Sequence, residues 1–169
     1  MRIFTFKEVN NAIGDNMKRF FLMCILTVAI SAILTYYMPK EFDAYVNDIA
    51  LDGTVCIYCR NTSIDAVDIG QGKIVQCPQN DFANVIARCG KIDGLSVSFS
   101  GSNKDVQRLA DLFCLKNISV CEIDDLTVVC GKSNKVKGGI WIDGVKINVQ
   151  IAYHNGTVTI GSPLILGSY

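Results

Sequence analysis

A single histidine, no surplus of basic charge and no recognisable catalytic spacing mark this chain by what it lacks. Lys plus Arg equals Asp plus Glu at sixteen each, and from Lys40 onward twelve basic residues face fourteen acidic ones. No basic stripe exists to track a nucleic-acid backbone, so nucleic acid is set aside as a partner. No G-x-S-x-G, H-E-x-x-H or EF-hand spacing occurs. Gly70-Gln71-Gly72 runs into a strand pattern rather than a helix, so it lacks the helix N-terminus that a phosphate loop needs. His154, the one histidine, stands beside a hairpin turn with no nucleophile brought toward it by any motif. Asp124-Asp125 lies in a tight turn, where solvated carboxylates are ordinary. Together these absences point away from an enzyme and imply no cofactor.

What is present begins with Phe20 to Met38, FFLMCILTVAISAILTYYM, which holds no charge, glycine or proline. A bilayer core about 30 Å thick needs about 20 apolar residues in a helix, so the run is just long enough to span. Tyr36 and Tyr37 suit an interfacial aromatic belt. A cleaved signal peptide is the alternative, with Ala29-Ile30-Ser31-Ala32 imitating a cleavage site, but the apolar run continues past it to Met38. Arg2, Lys7, Lys18 and Arg19 precede the run, whereas Lys40 follows it with Glu41, Asp43 and Asp48 close by. Positive charge stays on the cytoplasmic side, so the tail is expected there and the remaining domain outside. The resulting division is a cytoplasmic tail over 1–19 (Phe6, Val9, Ile13 and Met17 fall at amphipathic spacing), a transmembrane signal anchor over 20–38, a linker over 39–52 and an extracytoplasmic domain over 53–169.

The domain reads as α+β. Strands are predicted at Thr54–Arg60, Ile64–Ile69, Gly72–Cys77 and Leu95–Ser100, with a hairpin of 118–121 and 126–130. Pro78-Gln79-Asn80-Asp81 starts a helix with Phe82, Val85, Ile86 and Cys89 on one face and Gly90 as its stop. Ser102 caps a second helix, with Asp105 completing an acidic capping box and Val106, Leu109, Ala110 and Phe113 as its buried stripe. Ser133–Gly139 reads as a loop. Asp143-Gly144 and Asn155-Gly156 are two-residue hairpin signals, which predict a three-stranded meander from Ile140 to Ile160 with Lys146, Asn148 and Gln150 facing outward. The strand–helix units of residues 74–88 and 96–113 resemble each other and are expected side by side. The expected architecture is thus a single transmembrane helix followed by one small domain, with two helices packed on a mainly antiparallel sheet. Leu164-Ile165-Leu166 is expected to complete the sheet as an edge strand or to dock into a partner.

Eight cysteines remain: Cys24 in the anchor and Cys56, Cys59, Cys77, Cys89, Cys114, Cys121 and Cys130 in the domain. Seven cannot all pair within one chain, and their settings are those of small core residues, so mostly reduced, buried thiols are expected. Cys56 and Cys59 form the only C-x-x-C. Redox motifs place that pair at a helix start, and structural zinc wants a second pair; here it falls in a strand pattern that points the two thiols to opposite faces. The reading that follows is a membrane-anchored, non-catalytic interaction or scaffold protein partnered by the membrane and another membrane or envelope protein. The alternative is an envelope thiol-redox or metal-binding protein using Cys56 and Cys59.

Overall fold

The computed structural model describes residues 6–50 and 52–166, with the side chains of 6–19, 36 and 37 outside the description. The chain divides into two units, residues 1–38 and 39–169. The first is one helix, α1 (Phe6–Tyr37). The side chains of Phe20–Thr35 are exposed all around the helix. Among the described residues no helix is long and apolar enough to cross a membrane. The amphipathic face expected before Phe20 lies outside the described side chains.

The second unit is α+β. Its strands are β1 (Thr54–Cys59), β2 (Val67–Asp68), β3 (Lys73–Pro78), β4 (Ile92–Ser100), β5 (Lys116–Ile123), β6 (Leu126–Lys132), β7 (Ile140–Ile142), β8 (Val145–Ile147), β9 (Val149–His154) and β10 (Thr157–Ser162). Eight of them form one sheet in the order β2-β3-β1-β4-β10-β9-β6-β5, and β7 pairs with β8 as a separate ribbon. All named strand pairs are antiparallel. The helices are α2 (Val46–Ile49), entered through a 3-10 turn at Phe42–Tyr45, α3 (Phe82–Ile86) and α4 (Asn103–Leu112). The core is mainly aliphatic, with Val55, Ile57, Val97, Val149, Ile151, Val158 and Ile160 fully buried in one cluster with Val106 and Leu109 of α4 and with Phe42, Phe82 and Phe113. The capping box is in place: the Ser102 amide donates to Asp105 Oδ2 at 2.9 Å.

Several expectations need correction, each for a local physical reason. The segment taken as a linker is core. Phe42, Val46 and Ile49 are buried, and their i, i+4, i+7 spacing is that of an inward helical face. Phe113 stacks on Phe42 with ring centroids 5.7 Å apart and meets Tyr45 edge-on at 5.3 Å. The short helix is closed by donors from elsewhere: Gln79 Nε2 to the Val46 and Ala50 carbonyls, and Arg108 Nη2 to the Ile49 carbonyl at 2.9 Å. A third helical segment thus joins the two that were expected in the domain. The two strand–helix units are not neighbours, because β1 lies between β3 and β4. α3 stops at Ile86, before the predicted Gly90, because residues 88–90 turn to bond residues 61–63, with Gly90 N donating to the Asn61 carbonyl at 2.7 Å. The strand expected over 64–69 shrinks to Val67–Asp68. Residues 163–166 are not a strand; they return across the sheet, the Ile165 amide donating to Gln150 Oε1 at 3.0 Å and Leu166 meeting Ser96 Oγ.

The meander fails at one residue. Asn148, expected to face outward, is 2% exposed and separates β8 from β9. Its Oδ1 accepts from the Ser133 amide at 2.7 Å, and its Nδ2 donates to the carbonyls of Ser133 at 2.8 Å and Val136 at 2.7 Å. Alternation marks residue 148 as outward, but the loop 133–136 lies over that position and supplies the partners a buried amide demands. Asn148→Leu leaves those backbone groups buried without partners, so a loss of about 3 kcal/mol is expected in urea unfolding. A loss below about 1 kcal/mol would show that the loop holds itself.

Candidate functional site

β5 closes one end of the large sheet and is exposed along all of its residues. It pairs with β6 on one side only. β5 reaches beyond the cover of α4, because the helix ends at Leu112 and Cys114 turns the chain in a left-handed conformation (φ 48°) into the strand. Ile118 and Val120 are left 52% and 56% exposed. They form a groove of about 330 Å³ with Val129 of β6, Leu115, and Val106 and Ala110 of α4. A bulge between Lys116 and Ser119, with Asn117 at φ 53°, interrupts the strand's start, and a regular ladder runs from Ser119 to Ile123. Lys116 and Glu122 are the strand's only charges. Such an edge presents a row of unpaired backbone donors and acceptors beside an apolar groove.

The sequence-flagged residues lie elsewhere. Cys56 and Cys59 sit on β1 with Cys59 buried toward the helices and Cys56 on the opposite face, half-buried. They are not brought together. Burial pushes the thiols of Cys56, Cys77 and Cys130 above their ordinary value. Cys59 is pushed up to about 11, first by burial and then by the neighbouring thiol of Cys89. An activated thiol needs the opposite shift. All eight cysteines are free; Cys59 and Cys77 are buried as expected, Cys24 is exposed on α1, and Cys114 and Cys121 are exposed, against the expectation of buried domain thiols. Cys114 is displaced from the helix face because α4 has ended, and Cys121 because β5 is exposed along its whole length.

His154 and Asp125, read separately in the sequence, come within 3.3 Å because β6 and β9 are neighbours. The His154 Nε2 also lies 3.1 Å from Asn155 Nδ2, and one nitrogen cannot donate to the carboxylate while accepting from the amide. Gly70 holds a left-handed φ of 86° in the β2–β3 turn. Among the described residues no three His, Cys, Asp or Glu side chains are grouped as a metal would need.

No family model, curated protein or solved structure matches the chain. The groove and edge at β5 therefore stand on their own chemistry. Their signal in the sequence is Ile118 and Val120 alternating with Asn117, Ser119 and Cys121, which reads as a strand but does not say that the strand is terminal.

The thiol settings give a measurable order. Among the thiols of the second unit, alkylation of the native protein is expected at Cys114 and Cys121 first, with Cys59 and Cys77 protected until unfolding. A folded thiol pKa raised above its unfolded value means that the unfolded state binds fewer protons in between, so stability falls as pH rises. The contribution of Cys59 is intact below the ordinary value of 9.0 and is lost toward about 11. Cys59→Val should flatten the fall of melting temperature across that window; an unchanged slope would remove Cys59 as a cause.

Proposed function

We propose that this protein is a single-pass membrane-anchored, non-catalytic interaction protein that binds a partner protein by strand addition at β5. The observation that carries the binding half is the edge itself: a terminal strand exposed along its length, poor in charge and bordered by an apolar groove. Strand addition supplies main-chain hydrogen bonds from such an edge, while side-chain pockets beside it supply selectivity. An incoming strand would pair along Ser119–Ile123, and its alternate side chains would enter the groove between β5 and α4.

The anchoring half is supported by the chemistry of Phe20–Met38. Polar groups in lipid must be satisfied within the segment. The hydroxyls of Thr27, Ser31 and Thr35 donate to the carbonyls of Met23, Thr27 and Ser31, each at 2.8 Å. The described side chains of Phe20–Thr35 carry no other hydrogen-bonding polar group apart from the weakly polar sulfurs of Met23 and Cys24. The basic residues before the run favour a cytoplasmic N-terminus and an extracytoplasmic domain. The scaffold reading is preferred to thiol chemistry because Cys56 and Cys59 face apart and both thiols are shifted away from reactivity.

Topology is tested by labelling intact cells with a membrane-impermeant maleimide, using Cys114 and Cys121 as native reporters. Labelling without permeabilisation is expected; labelling only after the membrane is opened would reverse the orientation. The edge is tested by a photo-crosslinking residue at Ser119, expected to capture one protein in the membrane. Ile118→Lys with Val120→Lys should reduce that capture on the order of tenfold or more, as charges on an edge oppose pairing. Undiminished capture by the folded double variant would move the interface away from β5.

A further inference from the structure

The β7–β8 ribbon is hydrogen-bonded separately from the large sheet; it buries Ile147 toward the domain and leaves its turn end exposed. Trp141 is 71% exposed, and Ile142 and Val145 beside the Asp143-Gly144 turn are also exposed. Trp141 is paired across the ribbon with Lys146, so the indole and the ammonium share one face. Lys146 in turn lines a hollow of about 530 Å³ with Lys132, Lys137, Val136 and Pro39. Glu41 pairs with Lys137 at 3.3 Å, whereas among the described residues Lys132 and Lys146 have no ion-pair partner. The concentration is notable in a domain whose acidic residues outnumber its basic ones.

We propose that this face, the β7–β8 ribbon together with the lysine-lined hollow, docks on an anionic lipid surface. Trp141 sits among the headgroups while Lys132, Lys137 and Lys146 meet the phosphates. Three features select a bilayer as the occupant. Tryptophan beside lysine is the side-chain pair that interfacial segments use, one ring at headgroup level and one cation on phosphate. Juxtamembrane lysines are drawn to an anionic lipid surface. Pro39, which follows the helical unit directly, lines the hollow, so the chain enters the domain at this face. The Asp143 carboxylate at the ribbon's turn limits insertion to headgroup depth, since a charge opposes entry into hydrocarbon. Asn148 fixes the loop that leads to Lys137, so the backbone carrying that cation is set before a surface is met.

The location of the bilayer rests on the anchor reading above; the chemistry of the face belongs to the domain alone. The chain contains one tryptophan, so its emission reports Trp141 without substitution. The full chain is reconstituted with vesicles of phosphatidylcholine, or of phosphatidylcholine with phosphatidylglycerol, and flotation is read in the same samples as fluorescence. In anionic vesicles a blue-shifted emission is expected, quenched more by a spin label near the headgroup than by one near the chain end. Lys132→Gln with Lys146→Gln should lose that shift and that quenching without lowering the melting temperature. A chain that floats with both vesicles while Trp141 keeps its aqueous emission overturns the docking face and leaves the anchor standing. A chain that fails to float with neutral vesicles but binds anionic ones with Trp141 quenched supports the face and overturns the anchor. Equal quenching in both compositions, or none in either, overturns the proposal.

Discussion

The amide of Asn148 is the contact on which the arrangement of this domain most depends. It holds Ser133 and Val136 from inside, and each passes the constraint onward. The Ser133 hydroxyl donates to the Phe113 carbonyl at 2.6 Å, tying the loop to the end of α4. Lys40 bridges to Val136: its amide donates to the Lys135 carbonyl at 2.8 Å and its carbonyl accepts from Lys137 at 2.9 Å. The first residues of the domain are thereby stitched to its last third. A buried side-chain amide is costly unless all its bonds are made, which is why one such residue selects a single loop conformation.

The second consequence concerns the helical segment at residues 42–49. Four residues of α-helix have no stability of their own, since nucleation costs more than so few bonds return. This one persists because Phe42, Val46 and Ile49 are buried and because Gln79 and Arg108 satisfy its terminal carbonyls. Tyr45 adds a hydrogen bond to the Lys135 carbonyl at 3.2 Å, so the segment is held by the loop that Asn148 organises. Gln79 carries a residual cost, as its buried Oε1 has no partner among the described residues.

Local signals were legible in the sequence wherever the physics is local. The capping box at Ser102, the stripe Val106–Phe113 and the hairpins at Asp143-Gly144 and Asn155-Gly156 all stand where the pattern puts them, the last two with Asp143 and Asn155 at φ 48°. Strand order was not legible, because antiparallel neighbours such as β1 and β4 or β4 and β10 are set by packing between distant segments. Asn148 was misread for the same reason: alternation gives a side chain's face but not what covers that face. The groove at β5 shares this blindness. Ile118 and Val120 look like any strand residues until the sheet order shows that, among the described residues, no strand lies beyond them.

The two ends of the sheet are treated differently, and that contrast carries the functional argument. At one end β2 is a two-residue strand, paired only through Val67 and Asp68, with a charged side chain among them. Short and charged edges are how sheets avoid adventitious pairing. At the other end β5 is eight residues long, and its bulge at Asn117 leaves the Ser119–Ile123 ladder regular. Ile118 and Val120 there add exposed apolar surface that α4 borders but does not cover. An edge blunted on one side only is costly to keep unless the open side is covered in use. A partner strand covers it with the fewest new requirements, since it needs only backbone groups to pair and alternate apolar side chains for the groove.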